Sequence, residues 1–386
     1  MDFKLTEEQE LVRDTCRQFA ENELKPFAAE FDRDHSFPEE QVKKLGELGM
    51  MGVVYPDEYN GAGMDYISYA IAVEELSRAC ASTGVIVSAH NSLCLSPIYY
   101  FGTEEQKKKY LTRLTTGEWI GCFGITEPSA GSDAAGTQTT AELKNGKWVL
   151  NGTKNFITNG GQAQVAVVIA VTEKGIGHKG LTFFIVEKGT PGFSIGKAED
   201  KLGIRASSTT ELIFDDCEIP EENILGELGQ GFKIAMHTLD GGRVGIAAQA
   251  LGIAQAALDE AAPYANERKQ FGKPLSGNQA IQWMLADMAT EIEASRLLVY
   301  KAAQLMGTGE RQRYSRYAAM AKLFASETSH RATHKAIQIF GGYGYTADYP
   351  VERLYRDSRI TEIYEGTSEV MRMVISNGVI RDYQTS

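Results

Sequence analysis

The sequence predicts an α+β fold in three successive parts: an N-terminal helical domain (residues 1–118), a middle antiparallel β-domain (119–229) and a C-terminal four-helix bundle (230–386). Apolar residues recur at helical spacing before Trp119, and this spacing returns from Phe232 onward. Between them, short segments rich in β-branched and aromatic residues alternate with turn residues. Because no helical pattern separates these strands, the parallel sheet of a Rossmann domain is not expected.

The N-terminal part carries helix start signals. Residues 6–9 (Thr-Glu-Glu-Gln) form a capping box, and residues 103–106 repeat it ahead of further apolar positions. Pro38 stands where proline favours the first turn of a helix, and the apolar segment 66–76 predicts a buried helix. Several helices are therefore expected before residue 119.

The middle part predicts strands at residues 120–125, 147–150, 165–171, 181–186, 193–195 and 212–214. Pairs such as Asn145-Gly146, Asn151-Gly152 and Pro191-Gly192 separate them, and such pairs are typical of tight turns. These features predict a compact, mostly antiparallel β-domain.

The C-terminal part contains four long helical patterns, at residues 239–258, 279–306, 314–340 and 367–379. Helices of this length and number predict a bundle. The many small residues among them favour close helix packing and self-association.

Charge and composition argue against several classes of protein. The 386 residues carry a formal net charge of −12 and no basic run longer than residues 107–109, so no nucleic-acid surface is expected. No apolar run approaches the ~20 residues that cross a bilayer, so no membrane insertion is expected. The five cysteines are scattered and the N-terminus lacks a signal-peptide pattern, which together indicate reduced thiols in a cytoplasmic protein. His330 and His334 have no further ligands in the pattern, so no metal site is predicted.

Two loops that follow predicted strands carry candidate binding groups. Residues 123–133 combine two glycines with the hydroxyls of Thr126, Ser129 and Ser132. Such a loop either donates hydrogen bonds to a flat heteroaromatic ligand or a pyrophosphate, or forms a polar turn. Residues 155–160 place Phe156 at a second strand end, where its ring either packs in the core or offers a stacking surface.

Two further segments lie among the C-terminal helices. In residues 267–275, Arg268 either binds phosphate, whose oxygens match the guanidinium fork, or lies in a solvated turn. Residues 338–345 contain Gly-x-Gly, but a helical pattern precedes them instead of a strand. They are therefore not predicted to be a dinucleotide-binding fingerprint.

Residues 363–369 (Ile-Tyr-Glu-Gly-Thr-Ser-Glu) hold the candidate catalytic group. Glu365 stands between an aromatic residue and a glycine, just before Thr367 and Ser368, which are good N-caps for the closing helix. A carboxylate between apolar neighbours is partly desolvated, so its pKa should exceed the ordinary value of about 4.3 and make it a better base. The alternative is a surface glutamate beside a helix cap.

In combination, these segments resemble the acyl-CoA dehydrogenases along essentially the whole chain. The shared motifs are Thr-Glu-Pro-x-x-Gly-Ser-Asp from Thr126, Lys-x-(aromatic)-Ile-Thr-Asn from Lys154, Asp-x-x-Arg from Asp240, Glu-Arg-x-x-Phe-Gly from Glu267, Gln-x-x-Gly-Gly-x-Gly from Gln338 and Ile-Tyr-Glu-Gly-Thr from Ile363. Each motif is weak alone, whereas their common order is specific. Residues 200–205, 231–236, 249–255 and 359–369 are most similar to the short-chain, butyryl-CoA branch.

The resemblance implies a homotetramer with one FAD per subunit and assigns residues to groups. Near the FAD of the same subunit it places Phe123, Ile125, Thr126, Gly131, Ser132, Phe156, Ile157, Thr158, Thr367, Ser368 and Glu369. Across a subunit boundary it places Arg268, Phe271, Gln279, Gln338, Gly341 and Gly342. Near the substrate it places Ser132, Asp240, Arg243, Tyr364 and Gly366, with Glu365 as the catalytic base.

The resemblance also implies an activity. The chain would oxidise a short-chain acyl-CoA, butyryl-CoA to crotonyl-CoA, or run the reaction in reverse, with an electron-transferring flavoprotein as redox partner. Gly242 stands where the isovaleryl and long-chain branches carry their base, which leaves Glu365 as the candidate, and Phe156 replaces a tryptophan common in relatives. Two alternatives remain open, namely an oxygen-using flavin oxidase of the same fold and a CoA-binding scaffold without catalysis.

Overall fold

The computed structural model describes residues 4–309 and 311–384, and its first part is helical as predicted. Both capping boxes form: in the first, Gln9 N donates to Thr6 Oγ1 and Thr6 N donates to Gln9 Oε1. The helices are α1 (Glu7–Phe19), α2 (Ala28–Asp34), α3 (Glu39–Glu47), α4 (Tyr66–Ala79), α5 (Ala81–Ala89), α6 (Ser96–Phe101), α7 (Glu104–Gln106) and α8 (Thr112–Leu114). Wider π-type turns at Ala20–Leu24, His90–Leu95 and Lys107–Leu111 continue α1, α5 and α7.

The middle part is a sheet with strand order β6-β7-β3-β2-β4-β5-β8 and with β1 on β4. The strands are β1 (Gly121–Gly124), β2 (Thr140–Lys144), β3 (Lys147–Thr158), β4 (Val165–Val171), β5 (Leu181–Glu187), β6 (Phe193–Ala198), β7 (Thr209–Pro220) and β8 (Ile224–Leu225). Most neighbours are antiparallel, but β1 pairs parallel with β4 and β2 touches β4 in the same sense. The sheet is therefore mixed and not purely antiparallel. After β1 the chain passes through β2 and β3, and β4 then runs beside β1 in the same direction.

Helices return in the last part, where residues 230–309 and 311–384 contain the four long helices expected of the bundle and a shorter one. The helices are α9 (Gly231–Glu267), α10 (Gln279–Met306), α11 (Arg311–Phe340), α12 (Val351–Ile360) and α13 (Ser368–Gln384). A small hairpin, β9 (Lys269–Gln270) and β10 (Lys273–Pro274), joins α9 to α10.

Helix α9 connects the three parts. Its apolar face shares one core with α1, α4, α5, α10 and α11, through residues such as Ile71, Ile246 and Val299. Its first turns join a second core, in which Ile234 packs with the sheet residues Val167 and Phe183. The opposite face of the sheet forms a third core within the β-domain. A side chain on α9 can therefore face groups from all three parts.

His90 fastens the helical part to the sheet. Its Nδ1 accepts a hydrogen bond from Gly121 N at 3.1 Å, and Nε2 lies 2.8 Å from the carbonyl of Leu114. The ring must then be neutral with its proton on Nε2, and burial lowers the pKa of His90 to about 4.

All five cysteines are buried and outside disulfides, as the sequence predicted. Within residues 4–309 and 311–384, no helix combines the length and apolar character needed to cross a bilayer.

Candidate active site

Glu365 lies in the turn between α12 and α13 with a left-handed backbone. Its φ is 52°, and that of Gly366 is 99°. A residue with a Cβ persists in this region only when its surroundings hold it there, since the conformation costs about 1–3 kcal/mol. The Tyr364 hydroxyl donates to Gln249 Oε1 on α9. On the other side, Lys322 Nζ on α11 donates to the Gly366 carbonyl at 2.6 Å.

The Glu365 carboxyl group is aimed into the protein. Its Oε2 is buried and has no hydrogen-bond partner among the residues that the structure describes. Burial raises the pKa of Glu365 to about 8, and the positive charges of Lys322 and Arg243 act in the opposite direction. The expectation of a raised pKa is confirmed, and the surface-glutamate alternative is wrong for this side chain.

The carboxyl group occupies space left by Gly242 on α9. A Cβ at position 242 would lie 2.9 Å from Glu365 Cδ and 2.8 Å from Leu93 Cδ2, closer than carbon atoms pack. One turn further along α9, a Cβ at Gly245 would overlap the hydroxyls of Tyr69 and Ser88. The carboxyl group therefore lies between α9 and Leu93 of the 90–95 segment, and the α9 surface at Gly245 is covered by α4 and α5.

Asp240 and Arg243 form a buried ion pair on α9, on either side of Gly242. Arg243 Nη1 lies 2.6 Å from Asp240 Oδ1, which also accepts a hydrogen bond from Ser315 Oγ at 2.8 Å. The i,i+3 spacing on α9 puts both side chains on one helix face. Tyr364 and Gly366, the other predicted substrate contacts, are half-buried in the Glu365 turn.

The loop after β1 is held against the end of β3. Asn155 N donates to the Thr126 carbonyl at 2.8 Å. Beneath this contact, Glu127 Oε1 and Lys154 Nζ lie 2.6 Å apart, with both side chains almost fully buried. Glu127 also accepts hydrogen bonds from the backbone N–H groups of Gln138 and Thr139. Segments 123–133 and 155–158 are therefore fixed together as one cradle.

The predicted binding side chains of the cradle separate into exposed and buried groups. Phe156 has a φ of 59° and a ring that is 61% exposed, so it is a free stacking surface and not a core residue. Gly131 and Ser132 are exposed, and Ile125, Thr126 and Thr158 are half-buried. Phe123 and Ile157 instead belong to the core, where Phe123 stacks on Phe183 at 5.3 Å. The Phe123 ring and the Ile157 side chain are packed in the core, so only the backbone of these two residues is available to a ligand.

These features fit a flat cofactor that carries phosphate, such as the FAD implied by the resemblance. The exposed Phe156 ring and the hydroxyls around it suit a heteroaromatic ring system. At the N-terminus of α13, Ser368 Oγ is buried and has no partner among the described residues. A helix N-terminus with such a hydroxyl suits an oxyanion.

The residues assigned to a subunit boundary all lie on the surface of the single chain. Phe271 is 98% exposed, and Arg268 lies 5.6 Å over the Tyr343 ring. The other exposed members are Gln279, Gln338, Gly341 and Gly342, and the exposed Glu369 lies in the first turn of α13. Exposure of this kind is compatible with a contact to a second copy.

Sequence reasoning missed three residues of the site. Tyr69, Leu93 and Lys322 come from α4, the 90–95 turn and α11, all distant from Glu365 along the chain. Of these three residues, only Lys322 could have been suspected from the sequence, because it is a lone charged residue in the alanine-rich segment 318–325. Tyr69 and Leu93 are ordinary apolar positions, so only the fold reveals them.

Comparison with known proteins gives this arrangement its context. The N-terminal, middle and C-terminal domain families of acyl-CoA dehydrogenase match residues 6–118, 122–217 and 229–380. A short-chain specific acyl-CoA dehydrogenase of Clostridium acetobutylicum is 59% identical over 381 residues, which cover 99% of this chain and all of that protein.

Solved structures agree with this relationship. Butyryl-CoA dehydrogenase from Megasphaera elsdenii is 49% identical, with a TM-score of 0.97 over 98% of this chain and 100% of that one. A chain in a structure described as the electron transferring flavoprotein of Acidaminococcus fermentans is 55% identical, with a TM-score of 0.97 over 99% and 100% of the two chains. Acyl-CoA dehydrogenase complexed with FAD from Bacillus anthracis is 37% identical, with a TM-score of 0.92 over 99% of this chain and 68% of that one. This chain therefore belongs to the acyl-CoA dehydrogenase family.

Proposed function

We propose that this chain is a cytoplasmic, FAD-dependent dehydrogenase that converts butyryl-CoA to crotonyl-CoA and passes the electrons to an electron-transferring flavoprotein. The observation that carries the proposal is the Glu365 carboxyl group, whose Oε2 is buried and without a partner among the described residues. A buried and unpartnered carboxylate is costly, so its retention points to a reacting group.

Glu365 is the base that removes the α-proton of the thioester. Its pKa, raised to about 8 by burial, makes the carboxylate a stronger base than one in water. Lys322 and Arg243 keep the ionised form accessible, because their positive charges favour it. The packing of Gly242 and Leu93 against the carboxyl group shields it from water.

The proton leaves only if the thioester carbonyl is stabilised as negative charge develops on its oxygen. We assign the backbone N–H of Glu365 as one donor to that oxygen, so that a single residue both orients the substrate and removes its proton. FAD, when bound against the cradle, supplies the acceptor for the hydride that leaves the β-carbon. The Asp240 and Arg243 pair would orient the CoA part of the substrate.

The packing along α9 supports a short acyl chain. Three residues past Gly242, ~4.5 Å along α9, Tyr69 and Ser88 fill the position beside Gly245. The Clostridium acetobutylicum and Megasphaera elsdenii relatives carry short-chain and butyryl-CoA specificity in their names. The flavoprotein partner is supported by the 55% identical chain in the Acidaminococcus fermentans structure.

A homotetramer is part of the proposal. It is supported by the exposure of Phe271, Arg268 and the end of α11, which are the groups expected to reach FAD in a second subunit.

Anaerobic titration of Glu365→Gln with butyryl-CoA tests the proposal. The wild-type flavin absorbance should bleach, since the substrate reduces the cofactor. In the variant the flavin absorbance should remain unbleached, because the amide keeps the shape of the side chain but accepts no proton. Glu218→Gln, an exposed change on β7, is the matched control and should bleach as the wild type does.

Other outcomes would indicate a different function or mechanism. Bleaching of Glu365→Gln at the wild-type rate would show that a residue other than Glu365 is the base. Wild-type protein that lacks flavin colour or never bleaches would indicate a CoA-binding scaffold, and rapid peroxide formation under air would indicate an oxidase.

A further inference from the structure

Lys322 is a buried lysine beneath the catalytic turn. Its side chain is fully buried in α11, and Nζ donates to the Gly366 carbonyl at 2.6 Å. Lysine is rarely buried without a compensating partner, because moving an ammonium group out of water is costly. The position of this lysine therefore calls for a reason beyond packing.

The acceptor of that hydrogen bond is the residue directly after Glu365. Glu365 and Gly366 both have positive φ, so this stretch of backbone keeps its shape only when contacts hold it. The Lys322 ammonium group holds the carbonyl on the Gly366 side, while the Tyr364 hydroxyl holds the other side by donating to Gln249. Loss of either contact frees the turn that carries the carboxylate.

The charge of Lys322 also acts on Glu365. Among the described residues, Lys322 has no carboxylate oxygen within ion-pair distance, whereas Arg243 is paired with Asp240 at 2.6 Å. Burial lowers the pKa of Lys322 to about 8, and the negative charges of Glu365, Glu362 and Glu369 act in the opposite direction, with Glu365 the strongest of the three. The attraction between Lys322 and Glu365 also favours the ionised form of Glu365.

The remaining charged or titratable neighbours do not replace it. Arg243 on α9 also favours the Glu365 carboxylate, but its charge is shared with Asp240. Tyr69 on α4 is buried and Tyr364 in the turn is half-buried, and both are neutral, with pKa values raised by burial. The segment 90–95 contributes the apolar Leu93.

We propose that Lys322 is a positioning residue for α-proton abstraction, in that its ammonium group fixes the Gly366 carbonyl and its charge stabilises the Glu365 carboxylate. This inference rests on the proposed role of Glu365 as the base. It separates two contributions, a hydrogen bond that sets geometry and a charge that sets ionisation.

Two substitutions test these contributions separately. Lys322→Gln keeps a hydrogen-bond donor and loses the charge, whereas Lys322→Met loses both at similar length. Lys335→Met is the matched control, because Lys335 lies on the same helix and pairs with Asp287 far along the helix from the turn. The measurement is the pH dependence of kcat/KM for butyryl-CoA with an artificial electron acceptor, using the purified holoenzyme.

Both Lys322 variants should move the acidic limb of the profile to higher pH by about one unit or more, since an opposite charge near a carboxylate lowers its pKa by that order. Lys322→Met should in addition lose about tenfold or more in kcat relative to Lys322→Gln, because a misplaced base loses catalytic power steeply. Lys335→Met should keep the wild-type profile.

An unchanged acidic limb in both folded Lys322 variants would overturn the inference. Failure of both variants to fold while Lys335→Met folds would also overturn it, since Lys322 would then serve stability alone. If Lys322→Met alone fails to fold, the pH profile of Lys322→Gln decides. Glu365→Gln, assayed in parallel, distinguishes the two levels of the argument. If Glu365→Gln retains activity, the proposal that Glu365 is the base is wrong. If Glu365→Gln is inactive and the Lys322 variants keep the wild-type pH profile, only the role of Lys322 is refuted.

Discussion

Replacing Gly242 with alanine should separate activity from stability. The new Cβ would overlap Glu365 Oε2, and it would lie 2.9 Å from Glu365 Cδ and 2.8 Å from Leu93 Cδ2. Carbon atoms pack at about 3.5–4.0 Å, so the carboxyl carbon would have to retreat by at least about 0.6–1.1 Å, and Oε2, which is nearer, by more. The Glu365 backbone cannot follow freely, because Lys322 and Gln249 hold the turn on both sides. The carboxylate would therefore swing away from the place where the α-carbon is bound.

A displacement of about 1 Å at a reacting group costs on the order of 100-fold in rate. We expect kcat for butyryl-CoA to fall by about that factor. Stability should move little or in the opposite direction, because alanine in a helix interior is favoured over glycine by about 1 kcal/mol. The clash involves the far end of a flexible side chain, so relieving it should require no movement of α9.

Turnover of butyryl-CoA and urea unfolding, measured on the same preparations, check this expectation. Gly241→Ala is the control, since a Cβ there would meet only Met306 Cε at 3.3 Å. That variant should share the gain in helix stability and keep the wild-type kcat. A Gly242→Ala enzyme with wild-type kcat would show that the Glu365 carboxylate can shift without loss of activity. This result would refute the argument that Gly242 positions the carboxylate.

Three further expectations concern the base, the cradle and the cofactor. Because Glu365 must be ionised to accept a proton and burial raises its pKa to about 8, kcat/KM should rise with pH up to about 8, and a flat profile would contradict this. Lys154→Met should lower the free energy of unfolding by about 3–5 kcal/mol, measured by chemical denaturation, because it leaves the buried Glu127 carboxylate without its cation. Arg268→Ala should speed the loss of FAD on dialysis by removing a guanidinium contact to phosphate, whereas the neighbouring Lys269→Ala should retain FAD as the wild type does.

Helix and strand patterns predicted most elements, and the misses have physical causes. The pattern at 279–306 corresponds to α10, and that at 165–171 to β4, because both have a clear apolar period and clean ends. Helix α9 extends well beyond the predicted 239–258, since burial in two of the cores outweighs the poor helix propensity of Gly241, Gly242 and Pro263. Strand β2 was missed because it has only five residues and three of them are exposed.

The candidate site was predictable only where its chemistry is local. The neighbours of Glu365 in the sequence were enough to predict a desolvated carboxyl group with a raised pKa. The partner that holds the next carbonyl, Lys322, lies 44 residues before Gly366, and only the packing of α11 under the turn brings the two together. Similarly, the sequence showed only that Gly242 is not a base. That its lack of a side chain leaves room for the Glu365 carboxyl group follows from the distances in the structure.

The geometry of the base is a property of contacts between the three parts of the fold. Helix α12, which leads into the Glu365 turn, is fixed by Asp357, whose carboxylate accepts a hydrogen bond from Ile204 N in the loop after β6. The neighbouring Arg356 pairs with Asp32 of α2 at 2.7 Å. A positive φ at a glutamate is unfavourable in isolation, so it persists because these contacts and the Lys322 hydrogen bond leave the turn no relaxed alternative. The short motif around Glu365 therefore takes the geometry proposed for the base only in the assembled fold.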